Sequence, residues 1–122
     1  LKLTLETSAA NLISAWEPDA IRVGKNWLRG HLILSSQHII RDWAVTAPEA
    51  LQAHDLKPAI DLGPKIILLG TGNRMVLPDI NLMTELASQG IGLEIMDTPA
   101  ACRTYNVLIH EYRDVVAALF IG

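Results

Sequence analysis

The chain changes its hydrophobic rhythm near the middle. Over residues 1–47 apolar and polar positions trade places at short range, as half-buried strands require. Leu1-Lys2-Leu3-Thr4 alternates in this way, and Ile21 and Val23 flank Arg22. Gly24-Lys25-Asn26 supplies turn chemistry, Trp27 to Leu34 reads as a second strand, Ser35-Ser36-Gln37 as a turn, and His38 to Val45 as a third strand. The pattern predicts a β-meander, with Trp27 and Trp43 supplying large apolar area. Residues 54–62 predict a short helix limited by Pro58, and Gly63-Pro64 punctuates the chain.

From Lys65 the pattern becomes α/β. Ile66-Ile67-Leu68-Leu69 is wholly apolar, as in a strand covered on both faces. Pro78 suits a first helical position, and Ile80, Met83, Leu86 and Ala87 make an apolar stripe. Gly90 suits a left-handed stop, which would return Ile91 onto Leu86. Leu93 to Met96 follows as a strand. Thr98 then reads as an N-cap with Pro99 next and Asp97 favourable to the helix dipole. That helix should run to about Asp114, and Val115 to Ile121 should close as a strand. Strand–helix–strand–helix–strand implies right-handed crossovers and a largely parallel sheet.

Length and charge narrow the class. At 122 residues, one domain fits, with residues 1–47 as the meander portion and 65–122 as the α/β portion. A net charge of −3 with no basic run gives no electrostatic footprint for nucleic acid. The lone Cys102 excludes an internal disulfide and fits a reducing compartment. The longest apolar runs fall well short of the roughly 20 residues of a membrane-spanning helix. No signal or transit pattern is read at the start, which lacks an initiator Met. The expectation is a cytoplasmic protein, or one matured in an organelle such as the mitochondrial matrix.

Candidate chemistry is sparse. Gly70-Thr71-Gly72-Asn73 has Met75 where a dinucleotide fingerprint wants glycine, and no Lys-Ser/Thr follows as a P-loop requires. The glycines suit a sharp exit from a buried strand. Yet the connection is longer than the ~2–6 residues usual in α/β units. It should lie at the carboxyl ends of the strands, where Gly72, Asn73 and Arg74 could meet an anion. The helix start at Thr98 falls at the same edge. Glu94, inside a strand, is either a buried ion pair with Arg113, Arg74 or Lys65, or an acid/base group in a pocket. On the second helix Ala101, Cys102, Tyr105, Leu108, Ile109 and Tyr112 gather on one side; Arg103, Val107, His110 and Asp114 gather on the other. Cys102 in the apolar stripe reads as a small buried hydrophobe. Thr104 and Asn106, at the stripe's margins, should satisfy nearby backbone. The histidines His31, His38, His54 and His110 have no metal-ligand spacing, so neither metal nor cofactor is expected, and no catalytic set is assigned.

The segments GTGNRMVLP and GIGLEIMDTPAACRTYNVLIHEYRDVVAALF, above all the run from Met96 to Val115, resemble a family of small proteins of unknown function. That family includes the mitochondrial assembly factor three of respiratory complex I. The resemblance extends, more loosely, to Trp43 and the rest of the first half. It implies a three-layer fold whose mixed central sheet has one strand antiparallel to the others, and an accessory, protein-binding role without an established reaction. Without the targeting extension of the mitochondrial members, the chain resembles a bacterial one. Two readings follow. The first is a non-enzymatic interaction module presenting Arg103, Val107 and His110 to a protein partner. The second is a ligand-binding or enzymatic domain using Gly72, Asn73, Arg74, Glu94, Thr98 and Arg103.

Overall fold

A computed structural model describes residues 10–122, so the strand pattern at Leu1–Thr4 lies outside it. Eight strands form two sheets: β1 (Ile13–Glu17), β2 (Ala20–Val23), β3 (Asn26–Leu28), β4 (Leu32–Leu34), β5 (Ile39–Ile40), β6 (Ile66–Gly70), β7 (Gly92–Met96) and β8 (Val115–Leu119). The helices are α1 (Lys57–Ile60), α2 (Asn81–Ser88) and α3 (Thr98–His110), with 3-10 turns at Pro48–Ala50 and Ala53–Leu56. The turn at Ala53–Leu56 and α1 together fill the short helix predicted around Pro58.

The small sheet, β1-β2-β3, is an antiparallel meander displaced one strand toward the N-terminus from the predicted one. The expected continuous strand from Trp27 to Leu34 is broken at Gly30, which sits at φ +82. That left-handed residue turns the chain out of the small sheet, and β4 joins the main one. The third predicted strand shrinks to Ile39–Ile40, ending before Asp42 at φ +56. Trp43 is buried as expected, whereas Trp27 is exposed on the outer face of the small sheet.

The main sheet has the order β5-β4-β8-β6-β7. β6 pairs in parallel with both β7 and β8, β4 is antiparallel to β8, and β5 is antiparallel to β4. Thus β4 alone runs against the other four strands, as the family resemblance implied. β8 is buried throughout because it is covered on both sides. Val115, Ala117 and Leu119 meet α3 and the small sheet; Val116, Ala118 and Phe120 meet α1, α2 and Trp43. The result is three layers. The connections β6–α2–β7 and β7–α3–β8 run in opposite directions along the sheet and place their helices on opposite faces, which gives both crossovers the same hand.

Four local expectations are corrected. α2 begins at Asn81 rather than beside Pro78, with no side-chain cap at Ile80, and it buries Leu82 and Leu86. The rest of the anticipated stripe faces solvent: Ile80 is 84% and Met83 48% exposed, and Ala87 is exposed too. α3 is capped by Asp97, whose Oδ1 accepts from the N–H of Ala100 at 2.8 Å, so Thr98 is its first residue and not its cap. α3 also stops at His110, four residues before Asp114, because Tyr112 turns left-handed at φ +56.

Candidate functional site

The loop after β6 and the start of α3 are tied together through one hydroxyl. Thr98 Oγ1 accepts from the Gly72 N–H at 2.8 Å and donates to the Phe120 carbonyl at 2.7 Å. The Thr98 N–H donates to the Gly72 carbonyl, and the Phe120 N–H to the Gly70 carbonyl. Gly70 is required by this knot. A Cβ there would stand 2.9 Å from Thr98 Oγ1 and 3.1 Å from Thr98 Cα. Gly72 is required by its φ of +100. Thr71 Oγ1 extends the knot, donating to the Arg74 carbonyl at 2.7 Å, with the Met96 carbonyl as a longer alternative acceptor at 3.2 Å, and accepting from the N–H of Val76.

These bonds bear directly on anion binding. Three donors that would face an anion at the α3 start are already used: Thr98 N–H by Gly72, Ala100 N–H by the Asp97 carboxylate and Ala101 N–H by the Asp97 carbonyl. Pro99 has none. The positive end of α3 is therefore internally satisfied, with a carboxylate in the place an anion would take.

Beside the knot, at the carboxyl ends of β6 and β8, lies a cleft of about 290 Å³ lined by Trp16, Glu17, Pro18, Asn73, Thr98, Pro99, Phe120 and Ile121. The β1–β2 turn forms its outer wall. The Arg103 guanidinium sits over the Trp16 ring, 5.8 Å from its centroid. Of the predicted residues, Asn73 and Thr98 line this cleft and Arg103 braces its wall. Gly72 lies behind it in the knot. Arg74 is exposed on the loop, and Glu94 is remote on β7. Val107 and His110 follow Arg103 along the exposed ridge of α3, at spacings of four and three residues.

Glu94 is neither buried nor ion-paired among the described residues, because β7 is the edge of the sheet. The buried-pair reading assumed a central strand. Cys102 is fully buried in the core against α3's own sheet face, and burial pushes its thiol up to about 12 despite the opposing effect of Arg103. Burial also raises the Tyr105 phenol, whose hydroxyl donates to the Asn11 carbonyl at 2.7 Å. Asn106 clasps β1, accepting from the Ile13 N–H and donating to the Ile13 carbonyl, which is the backbone-satisfying role its marginal position predicted. Among the described residues no three His, Cys, Asp or Glu side chains gather to hold a metal ion, and no helix is long and apolar enough to cross a membrane.

The sequence pattern missed Trp16, Glu17, Pro18 and Phe120. The Pro18-Asp19 pair is a legible turn signal for the β1–β2 connection. Nothing local places that turn against residues a hundred positions later.

Comparison with known proteins gives the chain a context. It is 30% identical over 103 residues to the "13 kDa major membrane protein" of Francisella tularensis, covering 75% of this chain and 84% of that one. It is 32% identical over 116 residues to zebrafish (Danio rerio) NADH dehydrogenase [ubiquinone] 1 alpha subcomplex assembly factor 3, covering 93% of this chain. It spans 66% of that protein, just under two thirds of its length. A crystal structure of a Bordetella parapertussis protein superposes with a TM-score of 0.86 at 34% identity, over 93% of this chain and 98% of that one. The resemblance read from the Met96–Val115 run is thus matched by relatives that include complex I assembly factors. With residues 13–120 matching its profile, the chain belongs to the family described as protein of unknown function (DUF498/DUF598).

Proposed function

We propose that this protein is a non-enzymatic assembly or interaction factor, working in the bacterial cytoplasm, that docks protein partners on the outer ridge of α3. The observation that carries this reading is the similarity to an assembly factor over 93% of the chain. The ridge supplies a plausible means: Arg103, Val107 and His110 lie in line, Val107 is 55% exposed, and Trp16 extends the surface beside Arg103. Aromatic and arginine side chains are the groups that anchor protein interfaces. On this reading the partners are subunits or accessory proteins of a complex I-like enzyme. Affinity capture with an Arg103→Glu, Val107→Asp double variant tests it. Partners recovered with the unaltered protein should be lost, and undiminished recovery would remove the ridge from the proposal.

A second reading places a small ligand in the cleft, and its volume of about 290 Å³ at the carboxyl ends of parallel strands favours it. With the α3 donors occupied, that ligand would be apolar or cationic rather than phosphate-like. An NMR titration with small amines and small apolar alcohols tests it, with carboxylates and phosphosugars as the classes expected not to bind. No shift at residues 16–18, 73 or 120 would sink the ligand reading.

A further inference from the structure

Among the described residues β7 ends the main sheet with one edge unpaired, and it is five residues long, whereas β5 at the far edge has two. It carries two chemistries on its two faces. Leu93 and Ile95 face the core under α2, and Glu94 faces the other way, exposed.

α2 lies above this edge. With Leu82 pointing into the core, a 100° step per residue places Glu85 on the flank toward the Ala53–Leu56 turn, where the two line a shared groove. Met83 falls on the opposite flank, the one toward the β7 edge, while Ile80 points away from the sheet and is the more exposed of the two. Met75 and Leu77 precede them on the connection from β6, and both are exposed.

Charge completes the description. From Met75 to Cys102 the chain holds Asp79, Glu85, Glu94 and Asp97 and no lysine, arginine or histidine. Asp97 is committed to capping α3; the other three are exposed and in no ion pair among the described residues. Asp79 and Glu85 line the groove on the far flank of α2, so the carboxylate at the free edge itself is Glu94.

We propose that the free edge of β7, together with the α2 flank above it, receives an extended cationic segment of a partner protein as a sixth strand of the main sheet. Main-chain pairing supplies the affinity and alternate side chains the selection. Side chains of the added strand on the α2 face are apolar and meet Met83. Those on the other face are lysine or arginine, one of them opposite Glu94. The charge also disfavours other occupants. Full-length antiparallel pairing of β7 with a second copy sets Glu94 opposite Glu94, a like-charge pair that destabilises the ladder.

The inference shares with the proposed function only the assumption of a protein partner. The α3 ridge lies on the opposite face of the sheet from the α2 flank, and Glu94 is on β7 and not on the ridge, so substitutions at the two surfaces can fail separately. The probe is a synthetic peptide of roughly nine residues, alternating valine and lysine, long enough to span a strand of this length. It should slow amide exchange across residues 92–96 and shift the Met83 methyl signal. Glu94→Lys should weaken it at least about tenfold and admit the valine–glutamate counterpart, with Glu94→Gln intermediate, as expected for a cross-strand charge pair that is reversed rather than removed. A peptide N-methylated at alternate residues should not bind. Equal binding to wild type and Glu94→Lys, binding without protection of β7, or tolerance of N-methylation would each overturn the proposal. So would a β7-protected homodimer in sedimentation, or vesicle binding abolished by Met83→Asp.

Discussion

α2 and α3 follow the same kind of strand, cover the same sheet and end in the same way, yet only one of them packs as its sequence pattern predicts. Both close with a Schellman motif. In α2 the Ile91 N–H returns to the Leu86 carbonyl and the Gly90 N–H to that of Ala87; in α3 Arg113 returns to Leu108 and Tyr112 to Ile109. The left-handed position is glycine in the first and tyrosine in the second. α3 is enclosed between the main sheet and β1; of its predicted apolar face Ala101, Cys102, Tyr105 and Ile109 are buried and Leu108 partly so, and Tyr112, beyond the helix end, is exposed. α2 covers only the edge of the sheet, so Leu82 and Leu86 suffice to hold it, and Ile80 and Met83 are left exposed among the described residues. An apolar stripe therefore reports a core only where a second surface closes over it.

That contrast can be broken or sharpened by substitution. The largest effect is expected at Tyr105→Ala, which empties a fully buried site and orphans the Asn11 carbonyl. It should cost about 4 kcal/mol in urea unfolding, and a cost near zero would mean that α3 is not enclosed. Thr98→Val keeps the shape but strips the hydroxyl from Gly72 N–H and Phe120 C=O. A loss of about 2–3 kcal/mol, with faster amide exchange at Gly72, would confirm the knot as the anchor of α3. Gly90→Ala forces a side chain into φ +77 at the end of α2 and should cost about 1 kcal/mol by thermal unfolding.

A smaller effect concerns the layer that holds α2. His31 Nδ1 accepts from the Ile121 N–H at 3.0 Å, its ring lies 5.0 Å from that of Phe120, and burial holds its pKa below the ordinary 6.5. The unfolded chain thus binds the proton more readily than the folded one. His31's contribution is fully present above about pH 6.5 and is lost as pH falls from there through the lowered folded value. His31→Gln should flatten this part of the stability–pH curve, and an unchanged slope would show that the ring is not held neutral. Smallest of all, Ile80→Ser and Met83→Ser should each shift stability by no more than about 0.5 kcal/mol. A loss of 2 kcal/mol or more, on the order of a buried deletion, would place the α2 flank in the core after all.

Much of the second half was legible because its signals are local. The four-residue apolar run at Ile66–Leu69, the Gly90 stop and the 3.6-residue stripe of α3 each depend on neighbours within a turn or two. The N-cap was misplaced by one residue since Asp97 and Thr98 are both capping side chains, and Thr98 is claimed instead by Gly72 and Phe120. The first half misled at Gly30. Trp27–Leu34 is a continuous β pattern, and only competition between two sheets splits it. Glu94 was read as buried because its strand was taken as central, a property of strand order and not of the strand.

By itself the sequence determined which segments become strands or helices over residues 65–122 and the family to which the chain belongs, since these rest on short-range sterics, periodicity and a dense run of matching residues. Tertiary structure decided which apolar stripe is covered, which carboxylate stays in water and how Trp16 comes to wall a cleft with Phe120. Those depend on which surfaces meet, and burial is a property of pairs of surfaces distant in the chain.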